Sequence, residues 1–236
     1  MKPSTVPPAL AAALALALTA GAGARAAGPL TVVELFTSQG CASCISADDL
    51  VGDLADRPHV LALTFGVDYW DYLGWQDTFA KSEFTDRQRA YLKPLALRDV
   101  YTPQMVIDGH LQAAANHPDD VNTLIKQAAK DHDNPPQIMA AHGGRVAIGY
   151  GHAPKGGGEV WLVRYDPRDQ KTVVRTGDNR GKTIVEHNVV RELTRLGTWK
   201  GEPKSFRTPA ASADGLQTAV IIQAAHGGAI VAAKKL

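Results

Sequence analysis

Residues 31–44 read Thr-Val-Val-Glu-Leu-Phe-Thr-Ser-Gln-Gly-Cys-Ala-Ser-Cys and contain both cysteines of the chain. The β-branched and apolar residues at 32–36 predict a short strand, which the Ser-Gln-Gly sequence at 38–40 ends. Downstream, four apolar residues follow the i, i+3, i+4, i+7 spacing of one helix face: Ala47, Leu50, Val51 and Leu54. We therefore expect a strand, a turn and a helix that opens at Cys41.

The cysteine pair has the spacing of a reactive dithiol. Cys41 and Cys44 are three residues apart, so on a helix they face the same side within disulfide reach. The helix N-terminus favours a thiolate at Cys41, whereas Cys44 is expected to be more shielded. This asymmetry predicts an attacking Cys41, reachable from solvent, and a resolving Cys44. Because so short a loop gains little chain-entropy stabilisation from a disulfide, the spacing favours chemistry over stapling.

Other uses of the pair remain open at this stage. A static disulfide needs no reactivity at all. A structural zinc site would require a second cysteine pair or a histidine at ligand spacing, and the sequence has neither. A Cu(I) carrier would have only the two thiolates as ligands, without a neighbouring Met or His. The sequence therefore predicts neither a bound metal nor a cofactor.

The N-terminus predicts a signal peptide. An apolar stretch at 9–19 follows Lys2, and Ala-Arg-Ala at 24–26 provides small residues for cleavage after Ala26. A retained membrane anchor is the alternative. Cleavage would place the mature chain in the periplasm or outside the cell, in oxidising surroundings that favour the closed disulfide.

Composition limits the partners. The chain has 25 Lys and Arg against 24 Asp and Glu, a near-neutral balance that argues against nucleic-acid binding. No stretch after the signal peptide predicts a membrane span. We expect exported proteins as substrates, together with an unidentified redox partner.

An aromatic segment follows the second predicted strand. That strand, at 60–67, is almost continuously apolar, and residues 68–75 then read Asp-Tyr-Trp-Asp-Tyr-Leu-Gly-Trp. Because the carboxyl ends of parallel strands share one edge of a sheet, the segment is expected beside residues 38–44, which we call the cysteine turn. Tyr69, Trp70 and Trp75 would then bind an extended polypeptide, or else cover the top of a small core.

The next elements complete an α/β unit. Helical spacing predicts a helix at about 81–98, with Pro94 bending or ending its last turn. The Thr102-Pro103 pair precedes a strand, and Asp-Gly at 108–109 predicts a hairpin to another strand. Pro118 begins a closing helix.

This order of elements resembles the thioredoxin superfamily. The resemblance implies a cis bond before Pro103, contact of Pro103 with the bridge, and backbone groups at Thr102 that bind a substrate peptide. The motifs at 34–41, 68–75 and 101–105 together resemble a narrower group, the bacterial exported family catalogued as domain of unknown function 1223, which is similar to thioredoxins in fold. The match runs from about Leu30 to the C-terminus. Glu34, seven residues before Cys41, is a candidate proton shuttle or a plain strand-face carboxylate.

The C-terminal part has a different pattern. Residues 131–136 predict a linker, after which short strand-like runs alternate with glycine and proline clusters, as in an antiparallel β unit. The runs lie at 146–150, 160–165, 172–175, 183–193, 206–208, 216–223 and 229–233. The histidine in His187-Asn188 could face the cysteine site or be a satisfied strand histidine.

Together these observations predict an α/β protein with a thioredoxin-like fold and a C-terminal antiparallel β extension. The predicted divisions are a signal peptide at 1–26, a thioredoxin-like domain at 27–133 and a β-rich domain at 137–236. The predicted function is thiol–disulfide exchange with exported proteins through Cys41 and Cys44. The alternative is a non-enzymatic binding module that keeps a static disulfide and uses the aromatic segment as its contact surface.

Overall fold

The structure is a computed structural model that describes Met1 and residues 28–236. The apolar stretch of the predicted signal peptide and its cleavage point after Ala26 lie outside the described residues. Among the helices of the described part, none combines the length and the apolar character that crossing a bilayer requires.

The protein has a mixed α/β architecture with one central mixed sheet and few helices. Up to the predicted linker the elements are β1 (Thr31–Thr37), α1 (Ile45–Ala55), β2 (Val60–Gly66), α2 (Ser82–Ala90), β3 (Gln104–Ile107), β4 (Leu111–Ala114) and α3 (Pro118–Ala128). After it they are β5 (Ile138–Ala141), β6 (Arg145–Ile148), β7 (Gly158–Asp166), β8 (Gln170–Val173), β9 (Thr183–Glu186), β10 (Val189–Trp199), β11 (Lys204–Arg207), β12 (Gln217–Ala224) and β13 (Ile230–Lys235). Short 3-10 turns at Ala42–Cys44 and Asp71–Leu73 complete the described elements.

The central sheet has eight strands in the order β13-β12-β7-β10-β2-β1-β3-β4. β1 is parallel to β2 and antiparallel to β3, and β10 joins the other side of β2 in parallel through Val189 and Thr64. Strands from both sides of the predicted linker therefore belong to one sheet. β8 and β9 form a separate two-stranded hairpin, and β5, β6 and β11 form a small third sheet.

The alternation along β1 divides the core into two layers. Val33 and Leu35 pack with the buried face of α1, whereas Val32 and Phe36 pack on the opposite face of the sheet. The second layer also contains buried side chains of β7, β10, β12 and β13, so it is built from both sides of the linker. Burial of each large apolar side chain contributes roughly 1.5–3 kcal/mol, which makes this shared layer a main source of stability.

The structure corrects several element boundaries. The helix predicted at about 81–98 ends at Ala90, and turns follow it, because Pro94 lacks an N–H group and disfavours helical geometry at the preceding residue. The run predicted at 183–193 is two strands in different sheets. Asn188 breaks it with φ of 48°, and its side chain donates to Ala62 O over 2.9 Å. β5 is a strand that the sequence pattern did not predict.

Candidate functional site

The two cysteines form a disulfide with a Cα–Cα separation of 5.4 Å. Cys41 has an extended backbone, with φ of −90° and ψ of 113°, and precedes the 3-10 turn at Ala42–Cys44. α1 begins only at Ile45, so the prediction that the helix opens at Cys41 is wrong by one turn. The bridge closes a turn at the end of β1, and Cys41 N donates to Ser38 O over 3.0 Å.

Both half-cystines are fully buried, with 0% of each exposed. The expectation that Cys41 is reachable and Cys44 more shielded is therefore wrong for this conformation. The two residues between them, Ala42 and Ser43, are exposed. The bridge thus lies directly beneath a turn that itself faces solvent.

A loop from the C-terminal part packs against the turn that carries the bridge. We call residues 174–182, which connect β8 to β9, the cover loop. The side-chain amide of Asn179 donates to Gln39 O and to Cys41 O, each over 3.0 Å, and Asn179 is 0% exposed. Lys182 Nζ donates to Asn179 Oδ1 over 3.0 Å, which turns the amide N–H groups toward the two carbonyls. Thr176 also donates to the carbonyl of Gly74 in the aromatic segment.

Gln39 connects the turn to its surroundings. Its backbone N–H donates to Asp77 Oδ2 and its side-chain amide to Glu186 Oε2, both over 2.7 Å. Its side-chain oxygen accepts from Trp75 Nε1 over 3.1 Å. The conformation before Cys41 is therefore fixed by β9, by the aromatic segment and by the cover loop at once.

Three buried carboxyl groups lie around this network. Burial raises the pKa of Asp48 well above its usual value, and the charge of Glu186 adds to the increase. Burial also raises the pKa of Glu186 to about 8, with a further contribution from Asp77. The pKa of Asp77 is raised for the same reason, although backbone N–H groups, first that of Gln39, oppose the shift. Burial therefore disfavours the charged form of each carboxyl more than at an exposed position.

Sequence reasoning found none of Gln39, Asp48, Asn179 and Glu186. Two of them had a local signal. Asp48 is one helical turn after Cys44 and on the apolar face of α1, and Glu186 alternates with buried Ile184 along β9. An acid on a buried face is a candidate for a functional role, although the pattern does not reveal its partner.

The Thr102-Pro103 segment lies at the same edge of the sheet as the cysteine turn. The Thr102–Pro103 bond is cis, as the resemblance implied. Phe36 pairs with Gln104, so the antiparallel register continues to the end of β1 and the residue before β3. Pro103 is buried, and the hydroxyl oxygen of Thr102 is buried without a hydrogen-bond partner in the described part.

The aromatic segment has a half-buried part next to the cysteine turn and an exposed part. Trp75 bonds to Gln39, and a Cβ at Gly40 would lie 3.7 Å from Trp70 Cβ, so both tryptophans adjoin the cysteine turn. Tyr69 and Trp70 are half-buried and also pack against the core. Burial raises the pKa of Tyr69 to about 12, while Gln88 and Thr102 partly offset the shift. Tyr72 is 82% exposed.

Glu34 belongs to a different cluster. Arg87 Nε donates to Glu34 Oε1 over 2.6 Å, the Tyr91 hydroxyl donates to the other carboxylate oxygen, and all three side chains are buried. Glu34 is on the face of β1 opposite Val33 and Leu35, which pack on α1. Of its two interpretations, the structural carboxylate on the strand is the one that fits.

The remaining candidates have structural partners. His187 Nδ1 lies 2.9 Å from Asp169 Oδ1, and the ring would be 2.9 Å from a Cβ placed at Gly52 of α1. His187 is therefore a satisfied histidine that packs on the helix. Within residues 28–236, no group of three His, Cys, Asp or Glu residues is arranged to hold a metal ion.

The fold and the site define a mixed α/β protein with a buried C-x-x-C disulfide at one edge of its central sheet. A sequence model of the family described as "Protein of unknown function (DUF1223)" matches residues 32–223, and the chain belongs to this family. An Agrobacterium tumefaciens protein solved by X-ray crystallography is similar over 89% of this chain and 94% of its own, with 31% identity and a TM-score of 0.72.

A second solved structure, an endonuclease/exonuclease/phosphatase from Beutenbergia cavernae, matches 43% of this chain and 22% of its own, with 17% identity and a TM-score of 0.15. A likeness of that size carries no argument about fold or function. No curated protein sequence matches the chain.

Proposed function

We propose that the protein is exported and exchanges disulfides with other exported proteins through Cys41 and Cys44. The observation that carries the proposal is the position of the bridge. It lies under an exposed two-residue turn, at the sheet edge that also holds the Thr102-Pro103 segment and the tryptophans of the aromatic segment. A disulfide in such a short loop adds little stability, so its placement among these loops favours a chemical role.

The topology supports a thioredoxin-like assignment for the first part of the chain. β2, β1, β3 and β4 are adjacent in that order within the sheet, and α1 and α3 pack on one face. The cysteine turn follows β1, the first of these strands along the chain, as in the thioredoxin superfamily. The β-rich part adds strands to the outer side of β2 and supplies the cover loop.

The exchange step proceeds through a mixed disulfide. A thiolate of a partner dithiol attacks Cys41 Sγ, the bond between the two cysteine sulfurs breaks, and its electron pair goes to Cys44 Sγ. The second thiolate of the partner then attacks the partner's first sulfur, which is bonded to Cys41 in the mixed disulfide, and releases Cys41 as a thiolate. The partner is oxidised to a disulfide, and the bridge is reduced to two thiolates, which take up the two protons that the partner thiols released. The reverse sequence reduces a partner disulfide.

Asp48 is positioned to supply the proton that the Cys44 thiolate needs. Cys44 has helical φ and ψ at the N-cap of α1, so Asp48 lies on the same side one turn later. Asp48 is buried, and its Oδ1 atom has no hydrogen-bond partner in the described part. Burial raises its pKa, which favours the protonated carboxyl relative to an exposed one, and a protonated Asp48 can give its proton to the sulfur when the bridge opens.

Access requires displacement of the cover loop. Three side-chain hydrogen bonds hold the loop to the first part of the chain, two from Asn179 and one from Thr176. At roughly 0.5–1.5 kcal/mol each, the loss of these three bonds in the opened form costs about 1.5–4.5 kcal/mol. This cost corresponds to an opened population between roughly 0.1% and several per cent, as expected for local opening of a loop.

A trapping experiment tests the proposal. A Cys44→Ser variant, exported to the periplasm, should retain a mixed disulfide between Cys41 and a partner after acid quenching. Cys41→Ser is the matched control, because its remaining thiol is Cys44, the resolving sulfur at the N-cap of α1, and should capture much less. The proposal fails if neither variant forms adducts that disappear on reduction, or if both capture the same proteins equally.

A static-disulfide binding module is the second candidate. The complete burial of both sulfurs favours it, since a bridge that never opens needs no access. In that case the exposed part of the aromatic segment, with Tyr72 and Leu73, is the contact surface. The two candidates differ in whether physiological reductants open the bridge.

A further inference from the structure

A cavity lies against the 78–81 segment. Its volume is about 330 Å³, and it is bounded by that segment, by the start of β10 and by residues 212–216. Its lining combines cations with apolar groups. The main contributors are Phe79, Lys81, Arg168, Val190, Arg191 and Leu216.

One of the three cations is already neutralised. Arg168 forms a two-point ion pair with Asp166, at 2.7 Å for both Nε–Oδ1 and Nη2–Oδ2, and this pair lowers the pKa of Asp166. Asp166 also lines the cavity, so its charge is matched by that of Arg168. The cavity keeps a positive excess from Lys81 and Arg191.

Lys81 has only weak compensation. Its nearest carboxylate is Glu83, 3.6 Å away, and both side chains are about half exposed, so the pair contributes little. Lys81 Nζ also donates to the backbone carbonyl of Arg191. That contact holds the ammonium group beside the β10 residue without cancelling its charge.

Arg191 lacks a carboxylate partner. Its guanidinium carbon lies 4.5 Å from the centre of the Phe79 ring, which orients the plane of the group. Its Nη1 atom is buried without an acceptor, and no carboxylate of the described part lies within 4.0 Å of the side chain. Arg191 lines the cavity and carries a positive charge that no carboxylate pairs with directly, so its side chain can interact with an anionic ligand placed there.

We propose that this cavity binds a small organic acid. The carboxylate of the ligand interacts with Arg191 and Lys81, and its apolar part packs against Phe79, Val190 and Leu216. The volume is at the small end of the range for pockets that hold organic ligands. The apolar walls favour an organic carboxylate over inorganic phosphate, which offers the same charge but nothing to bury.

The test uses three probes on the oxidised protein: phenylacetate, the neutral analogue 2-phenylethanol, and inorganic phosphate. Titrations followed by amide chemical shifts should give saturable binding of phenylacetate, with shifts at 78–81 and 212–216. Phosphate should bind more weakly, and 2-phenylethanol should not saturate. Equal binding of phenylacetate and its neutral analogue would overturn the proposal, and tighter binding of phosphate would identify a simple inorganic anion site instead.

Variants assign the effect to the cavity. Arg191→Gln, which keeps the planar shape without the charge, should weaken phenylacetate binding at least about tenfold. Lys81→Gln provides a second test at a more exposed position. The matched control is Arg195→Gln on the same strand, because Arg195 pairs with Glu159 over 3.0 Å outside the cavity. Unchanged affinity in both cavity variants would contradict the proposal.

Discussion

The cover loop makes a quantitative prediction about Asn179. Replacement by Ala removes two buried hydrogen bonds of 3.0 Å, to Gln39 O and Cys41 O, while the opened form loses nothing. With a net value of about 1 kcal/mol for each bond, the cost of opening falls by about 2 kcal/mol. Since each 1.4 kcal/mol corresponds to about a factor of ten, the bridge should be reduced about 30-fold faster.

The rate can be measured directly. Oxidised protein is mixed with dithiothreitol, quenched at intervals with N-ethylmaleimide, and the alkylated cysteines are counted by mass spectrometry. Asn122→Ala is the matched control, because that side chain accepts from Arg57 over 2.6 Å, and Arg57 follows the end of α1 opposite the bridge. If the cover loop opens locally, the rate should depend only weakly on urea, because local opening exposes little surface.

Two results would refute this reasoning. An Asn179→Ala rate equal to that of the parent protein would show that the loop does not limit access. A urea dependence as steep as that of global unfolding would show that the bridge is reached only through the unfolded chain.

Further predictions concern the carboxyl groups and one histidine. Asp48→Asn should slow the exchange and alter its pH profile in stopped-flow assays. Glu34→Gln, which breaks a buried ion pair, should cost about 3–5 kcal/mol in urea unfolding and leave the exchange rate of the folded protein unchanged. At a pH between 4.5, the usual pKa of a glutamate, and about 8, the folded protein keeps the Glu186 proton whereas the unfolded chain loses it. The free energy of unfolding therefore falls as pH rises through that window. Glu186→Gln should remove the part of the decline that Glu186 contributes, at most about 5 kcal/mol, and equal slopes in the two proteins would contradict this prediction. A hydrogen bond to Asp108 raises the pKa of His132 above 6.5. The stability that the protonated His132 adds to the fold is therefore complete below pH 6.5 and is lost as pH rises through the pKa of His132 in the folded protein. His132→Gln should abolish that loss in unfolding measurements across pH.

The elements with strong local patterns could be predicted from the sequence. The strand, turn and helix over 31–54 follow from apolar spacing, and the Asp-Gly hairpin after β3 follows from turn chemistry. The start of α1 at Ile45 was harder to predict, because a 3-10 turn and the first turn of an α-helix have the same local composition.

The cover over the bridge could not be predicted in this way. Asn179 is separated by 138 residues from Cys41, and no periodicity in either segment encodes their contact. For the same reason the pattern indicated a reachable Cys41, whereas the structure buries it. Likewise, β10 joins β2 through a parallel pairing between strands that are distant in the sequence. The alternation of residues along β10 predicts its buried face but not the strand with which it pairs.

The central claim is that the bridge between Cys41 and Cys44 opens under physiological conditions. The most direct measurement is its reduction potential, obtained by equilibrating the protein with defined mixtures of reduced and oxidised glutathione and counting free thiols after acid quenching. We predict a midpoint above about −300 mV, within reach of thiol exchange with other proteins. A midpoint below that value, with the bridge closed in every physiological mixture, would contradict the account and favour a static disulfide.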